Sequence, residues 1–246
     1  MTPPSRSTPI PCVTADRMRE VNRIATEEYR LHRLQMLETA GSHLARLARD
    51  SFLDGDAQTG SVLAVCGTGG NGAGGLAAAR RLHGWGASVA IATARPPDAY
   101  SGLPAHQLAL LQKTTVPVFQ MGPEDSLPDA DLLLDALIGY GLDGDLRPDM
   151  ADCIHRVLWH GAPALSLDVP SGLNATTGVP NDQTVHAEAT LTLALPKCGL
   201  DAPAATSAVG DLYLADIGIP PSLYERLDLN GDARGLFSQQ DLIQLR

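Results

Sequence analysis

Apolar residues recur along this chain in two rhythms. From Thr14, whose hydroxyl can cap a helix, Met18, Val21, Ile24 and Ala25 fall at helical spacing. A second helical stripe over 34–52 sets Leu37, Ala40, Gly41, Leu44, Leu47 and Ala48 on one face, with Gly41 marking close packing rather than a break. Short apolar runs then predict strands at 62–66, 88–92, 116–120, 131–137, 164–169, 189–194 and 211–215. Helical patterns at 75–83, 104–113 and 148–160 lie among them. Strands this apolar, alternating with helices, predict an α/β fold: a Rossmann-like three-layer sandwich with a mainly parallel sheet covered on both faces. Ligands of such sheets bind beyond the carboxyl ends of the strands.

Composition narrows this picture. Residues 1–13 are rich in proline and read as a flexible arm, 14–235 as one domain and 236–246 as a C-terminal tail. A net charge of −10 argues against nucleic acid as a partner, since no basic stripe is present to neutralise a run of phosphates. No apolar run approaches the ~18 residues of a membrane span, and no signal-peptide core is visible, so a soluble cytoplasmic protein without a membrane partner is expected. Cys12, Cys66, Cys153 and Cys198 lack the paired spacing of a zinc or redox motif, and reduced thiols are expected.

The densest chemical signal is the glycine run at 67, 69, 70, 72, 74 and 75, set between an apolar strand and a helical segment. Glycine permits positive φ and close ligand approach, and a helix start offers unpaired N–H groups, so phosphate is the expected guest. Gly67-x-Gly69-x-x-Gly72 satisfies the dinucleotide fingerprint. The acidic residue that would hold a ribose is missing, because the next strand runs into Arg95-Pro96-Pro97. No Gly-Lys pair occurs, which excludes a P-loop. A tight turn without a ligand is the plain alternative.

Two later strand ends carry carboxylates. Asp135 lies inside an apolar strand and is followed by Gly139, Gly141, Asp143, Gly144 and Asp145. A buried carboxylate needs a partner or a metal, although Asp135 could also cap the next turn. Asp168 ends another apolar strand and is followed by Pro170-Ser171-Gly172, a turn that would set the Ser171 hydroxyl beside it. Asn71, Asp135, Asp168 and Ser171 would then converge at one crevice, and such oxygen ligands suit a hard cation. Lys197 either reaches the same edge or is solvated.

Taken in order, these motifs resemble the YjeF N-terminal domain family. Cys66-Gly-Thr68-Gly-Gly70-Asn71-Gly-Ala73-Gly74-Gly75-Leu76 looks like its C-G-P-G-N-N-G-G-D-G-L, Asp135-Ala-Leu-Ile-Gly139 like its D-A-[ILV]-[FL]-G, and Asp168-Val-Pro-Ser171-Gly172 like its D-[IV]-P-S-G. Met18-Arg-Glu-Val-Asn, Met36-Leu-Glu38-Thr-Ala-Gly41 and Leu195-Pro196-Lys197 resemble flanking blocks. The resemblance implies a homodimer that interconverts the R and S forms of hydrated NADH or NADPH, an isomerase of nucleotide repair. It implies a potassium ion held by Asn71, Asp135 and Ser171. Substrate contacts would come from Gly70, Asn71, Gly72, Ala73 and Gly74, from Gly139, Tyr140, Gly141, Leu142, Asp143, Gly144 and Asp145, and from Asp168, which would also be the catalytic residue. The tail resembles the link to a dehydratase domain in fused relatives, so a separate NAD(P)H-hydrate dehydratase is the expected partner. Gly70 and Gly74 replace an Asn and an Asp of the family pattern. Those losses leave open a catalytically silent module binding a nucleotide-like ligand or a protein, and Arg95 leaves open an NADP oxidoreductase.

Overall fold

The Thr14 side chain caps helix α1 (Ala15–Glu27) by accepting from the Arg17 N–H, as the sequence pattern predicts. Helix α2 (Arg33–Phe52) opens on a reciprocal cap between His32 and Gln35. The chain then runs through β1 (Ser61–Cys66), α3 (Gly70–Gly84), β2 (Ser88–Thr93), α4 (Gly102–Leu111), β3 (Val118–Gln120), β4 (Leu132–Ala136), α5 (Pro148–His160), β5 (Ala164–Leu167), β6 (Ala189–Leu193), α6 (Thr206–Val209), β7 (Asp211–Ala215), α7 (Pro221–Arg226) and β8 (Leu242–Gln244). This computed structural model describes residues 10–122, 127–229 and 235–246, so most of the expected N-terminal arm lies outside the described residues.

The strands form one sheet in the order β3-β2-β1-β4-β5-β6-β7-β8. All pair in parallel except β8, which runs antiparallel along β7. The order reverses between β1 and β4, the switch point of a doubly wound sheet. Alternation along the strands builds the layers: Val62, Ala64 and Cys66 pack with α2, α3 and α4, while Leu63 and Val65 pack with α5. Helices α1 and α7 bury Val21, Ile24, Leu223 and Tyr224 against Leu214 of β7 and Ile243 of β8.

Three expectations need correction. Helix α3 starts at Gly70, inside the glycine run, five residues before the predicted start, and none of those six glycines takes a positive φ. Four of them, Gly67, Gly72, Gly74 and Gly75, serve close approach instead: a Cβ on Gly72 would lie 1.8 Å from the Gly67 carbonyl oxygen, and one on Gly75 would lie 2.4 Å from the Ala136 Cβ. Gly41 follows the same logic, because its Cβ would stand 2.7 Å from that of Ala77 where α2 crosses α3. Second, Cys12 and Cys198 are not reduced thiols but a disulfide with Cα atoms 4.9 Å apart. They are 186 residues apart in sequence, and a parallel bridge between Val13 and Lys197 brings them together. Third, α6, α7 and β8 answer to no predicted element; they are short, and α7 begins at a proline pair that reads as a turn.

Candidate active site

A cavity of about 400 Å³ opens beyond the carboxyl ends of the central strands. Gly69, Gly70 and Asn71 at the start of α3 form one wall, the loop from Leu137 to Gly141 after β4 another, and Asp168 and Lys197 a third. Met18, Arg19 and Asn22 from α1, with Arg33, Met36 and Leu37 from α2, close it. Asn22 donates a 2.7 Å hydrogen bond to the Tyr140 hydroxyl, tying α1 to the loop. Burial pushes the Tyr140 phenol above its ordinary range, so it is neutral at physiological pH.

Asp168 is 3% exposed, and its backbone takes the left-handed φ of +69°. Its Oδ1 accepts from the Nζ of Lys197, and its Oδ2 accepts from the Tyr140 N–H at 2.9 Å. Lys197 has no solvent exposure; its ammonium also donates to the Leu193 carbonyl at 2.9 Å and the Thr192 hydroxyl at 3.3 Å. Burying such an ion costs several kcal/mol, by order of magnitude, unless a countercharge and hydrogen bonds meet it, and all are present here. Lys197 therefore reaches the cavity edge and is not solvated. Gly139 faces this corner without a side chain, since its Cβ would lie 2.9 Å from Asp168 Oδ2 and 3.0 Å from Asn71 Oδ1.

Asp135 is fully buried at the end of β4 and is held by neutral groups. Its Oδ1 accepts from the Ser171 hydroxyl at 2.5 Å and the Leu137 N–H at 3.3 Å; its Oδ2 accepts from the Ser166 hydroxyl at 2.8 Å and the Ser171 N–H at 2.9 Å. Burial raises the Asp135 carboxyl pKa above the usual carboxylate value, with the bonds from Ser171 and Ser166 working the other way. The Ser171 hydroxyl also accepts from the Ile138 N–H at 2.9 Å. Ser171 therefore sits beside Asp135, not beside Asp168 as its place in the sequence suggested. Together Asp135 and Ser171 fix the loop that floors the cavity without lining the cavity themselves, whereas Asn71 and Asp168 do line it. The Asn71 Nδ2 is buried with no hydrogen-bond partner among the described residues.

Residues 33–199 match the family described as YjeF-related protein N-terminus. The chain belongs to this family. The NAD(P)H-hydrate epimerase of Dehalogenimonas lykanthroporepellens is 41% identical over 219 residues, spanning 88% of this chain and 86% of that protein. The namesake from Rhodopirellula baltica is 29% identical over 89% of each. A bifunctional NAD(P)H-hydrate repair enzyme, Nnr of Salinibacter ruber, is 34% identical over 88% of this chain but only 42% of its own length. The crystal structure of yeast ynu0 has the same fold, with a TM-score of 0.77 over 96% of this chain and all of that one at 19% identity.

Against the YjeF-related pattern, the remaining expected residues divide by place. Gly70, Asn71, Gly139, Tyr140 and Gly141 line the main cavity. Leu142, Asp143 and Asp145 line an adjoining cavity of about 330 Å³ that shares Gly69, Leu137, Ile138 and Gly141 with it. Gly144 and Asp145 border a third, polar cleft with Asn174 and Asn181. Gly72, Ala73 and Gly74 are buried inside α3 and line neither of the first two cavities. A side chain at Gly74 would meet Leu167, its Cβ 2.7 Å from Leu167 Cδ2, whereas Gly70 is open, with Arg33 3.8 Å from its notional Cβ. Arg95 is engaged with Asp149 at 2.6 Å. Among the described residues no helix is long and apolar enough to cross a membrane.

Proposed function

We propose that this protein is an epimerase that interconverts the R and S forms of hydrated NADH and NADPH. The observation that carries the reading is the Asp168–Lys197 pair set into the wall of the cavity, in a chain whose relatives over most of their length are named for this activity. The two adjoining cavities share one floor, which suits a dinucleotide with its nicotinamide half at Asp168 and its other half toward Asp143 and Asp145. The open first turn of α3 lies between them, where Gly69 lines both, and its N–H groups suit a phosphate.

The reaction needs a proton given and taken at one carbon substituent. The hydroxyl on carbon 6 of the reduced ring leaves as water when it gains a proton, pushed out by the lone pair of the adjacent ring nitrogen. Water then adds to either face and returns a proton, so both epimers form and no electrons are exchanged. In its acid form Asp168 gives that proton to the departing hydroxyl, and the carboxylate that results takes it back from the entering water. Lys197 fixes Oδ1 and the Tyr140 N–H fixes Oδ2, so the carboxylate does not reorient between the two steps.

A potassium ion held by Asn71, Asp135 and Ser171 is part of the proposal. Two features support the fit: the donors are all oxygen, and Asp135 is a buried carboxylate surrounded by neutral groups, which gains from a nearby cation. When bound, the cation would steady the charge developing near the glycine turn. The reading also carries a cytoplasmic homodimer whose product passes to a separate dehydratase; the bifunctional relatives support a second activity in the same repair.

The test mixes R and S hydrated NADH with an S-specific dehydratase and this protein in potassium buffer. Consumption of both epimers is expected. Consumption of the S form alone, at high protein and potassium, would sink the proposal.

A further inference from the structure

We propose that the Cys12–Cys198 disulfide is a redox-sensitive clasp that keeps Lys197 aimed at Asp168, making Lys197 a positioning residue whose placement depends on the oxidation state of that pair. This rests on the reading of Asp168 given above.

Lys197 lies outside β6, past a turn in which the Leu195 N–H returns to the Leu193 carbonyl and Ala194 takes a φ of +64°. On either side of Lys197 the backbone partners come from Val13: the Val13 N–H donates to the Pro196 carbonyl at 2.8 Å, and the Cys198 N–H donates to the Val13 carbonyl at 3.0 Å. The residue before Val13 and the residue after Lys197 are the two that the disulfide joins. The strip holding the buried ammonium is thus joined to the Val13 segment by two hydrogen bonds and one covalent link, while just beyond it the Gly199 N–H donates to the Ala175 carbonyl at 2.8 Å and the Leu200 N–H to the Lys197 carbonyl at 3.0 Å. Two residues after Val13, α1 begins and supplies Met18, Arg19 and Asn22 to the cavity. The clasp therefore ties the α1 wall to the Lys197 wall.

Access points the same way. Cys12 is exposed and Cys198 half-buried, whereas Cys66 and Cys153 are buried free thiols; burial pushes the Cys153 thiol up to about 11. A reductant arriving from solvent meets the clasp first. A dithiol attacks one sulfur of the pair, the S–S bond breaks, and two electrons and two protons end on Cys12 and Cys198 while the dithiol closes to its own disulfide. With the link open, the two hydrogen bonds that remain between the Val13 segment and this strip fray, and Asp168 loses a fixed partner rather than its own place. In a reducing compartment such a bond is one that switches rather than one that simply stabilises.

The experiment compares the never-reduced and dithiol-treated protein. Unfolded without reductant, the chain should titrate two thiols, Cys66 and Cys153, and all four after reduction. Reduction should lower kcat by roughly tenfold or more with KM little changed, because misplacing a positioning group costs the transition state rather than binding. Amide exchange at Val13 and Cys198 should quicken. The double variant Cys12→Ser/Cys198→Ser should match the reduced protein and ignore the dithiol. Four thiols before reduction, or an unchanged kcat after it, overturns the proposal. Should neither form turn over the substrate, the assigned reaction fails on its own, and amide exchange still decides: faster exchange at Cys198 on reduction supports the clasp, unchanged exchange overturns it.

Discussion

Asp135 and Asp168 close neighbouring strands of one sheet, both are buried, and both end apolar runs, yet they work differently. Asp168 faces an ammonium and a cavity; Asp135 faces hydroxyls and backbone N–H groups and lines none of the three cavities described above. A carboxylate paired with a cation at a cavity wall can exchange protons with a guest. One saturated by four neutral donors organises the loop around it and awaits, at most, a cation. Burial alone does not mark the chemical residue; the partner and the open face do.

The largest expected effect comes from breaking the Asp168 corner. Asp168→Asn should cut kcat by about 10³-fold, in the range of losing a general acid–base group. It should also lower stability by about 3–5 kcal/mol, because it strands the Lys197 ammonium. Adding Lys197→Met should restore most of that stability, read by denaturant unfolding, while turnover stays lost. Recovery of turnover in the double variant would place the chemistry elsewhere. Asp135→Asn comes next. By turning an acceptor into a donor among donors it should cost about 1–3 kcal/mol, and it should raise the potassium needed for half-maximal turnover while kcat at saturating potassium falls less than about tenfold. A loss at saturating potassium equal to that of Asp168→Asn would erase the distinction between the corners. The smallest effect is expected at the cavity rim, where Gly70→Ala meets open space. Stability should stay level or rise by about 0.4–1 kcal/mol, with turnover within about twofold. A marked drop in substrate affinity there would show that the bare backbone at Gly70 is itself a contact.

Much of this was legible in the sequence, for reasons that particular residues make plain. Thr14 and the bounds of α5 at Pro148 and His160 follow from capping and a proline at the first turn, which are local signals. The strand ends at Asp135 and Asp168 were visible because a carboxylate interrupts an apolar run. The start of α3 was not, since glycines read as turn until the Gly67 carbonyl and Ala136 that crowd them are known. The hydrogen bonds between Ser171 and Asp135 are not legible locally, because the chain neighbours of Ser171 say nothing of a neighbouring strand 36 residues away. Lys197 and the Cys12–Cys198 link depend on contacts across the whole chain, which no local window contains.

The left-handed backbone at Asp168 shapes how this molecule would respond to redesign. Glycine is easiest there; other side chains are disfavoured by an amount on the order of 1–2 kcal/mol, least so for asparagine and aspartate. A procedure that rewarded folding robustness alone would be drawn to replace Asp168, together with the lysine it neutralises, and would report success. What survived would be a sturdier sheet with a vacant pocket. In this protein a left-handed torsion and the proposed reacting group share one residue, so thermal resilience is a poor guide to whether the fold still works.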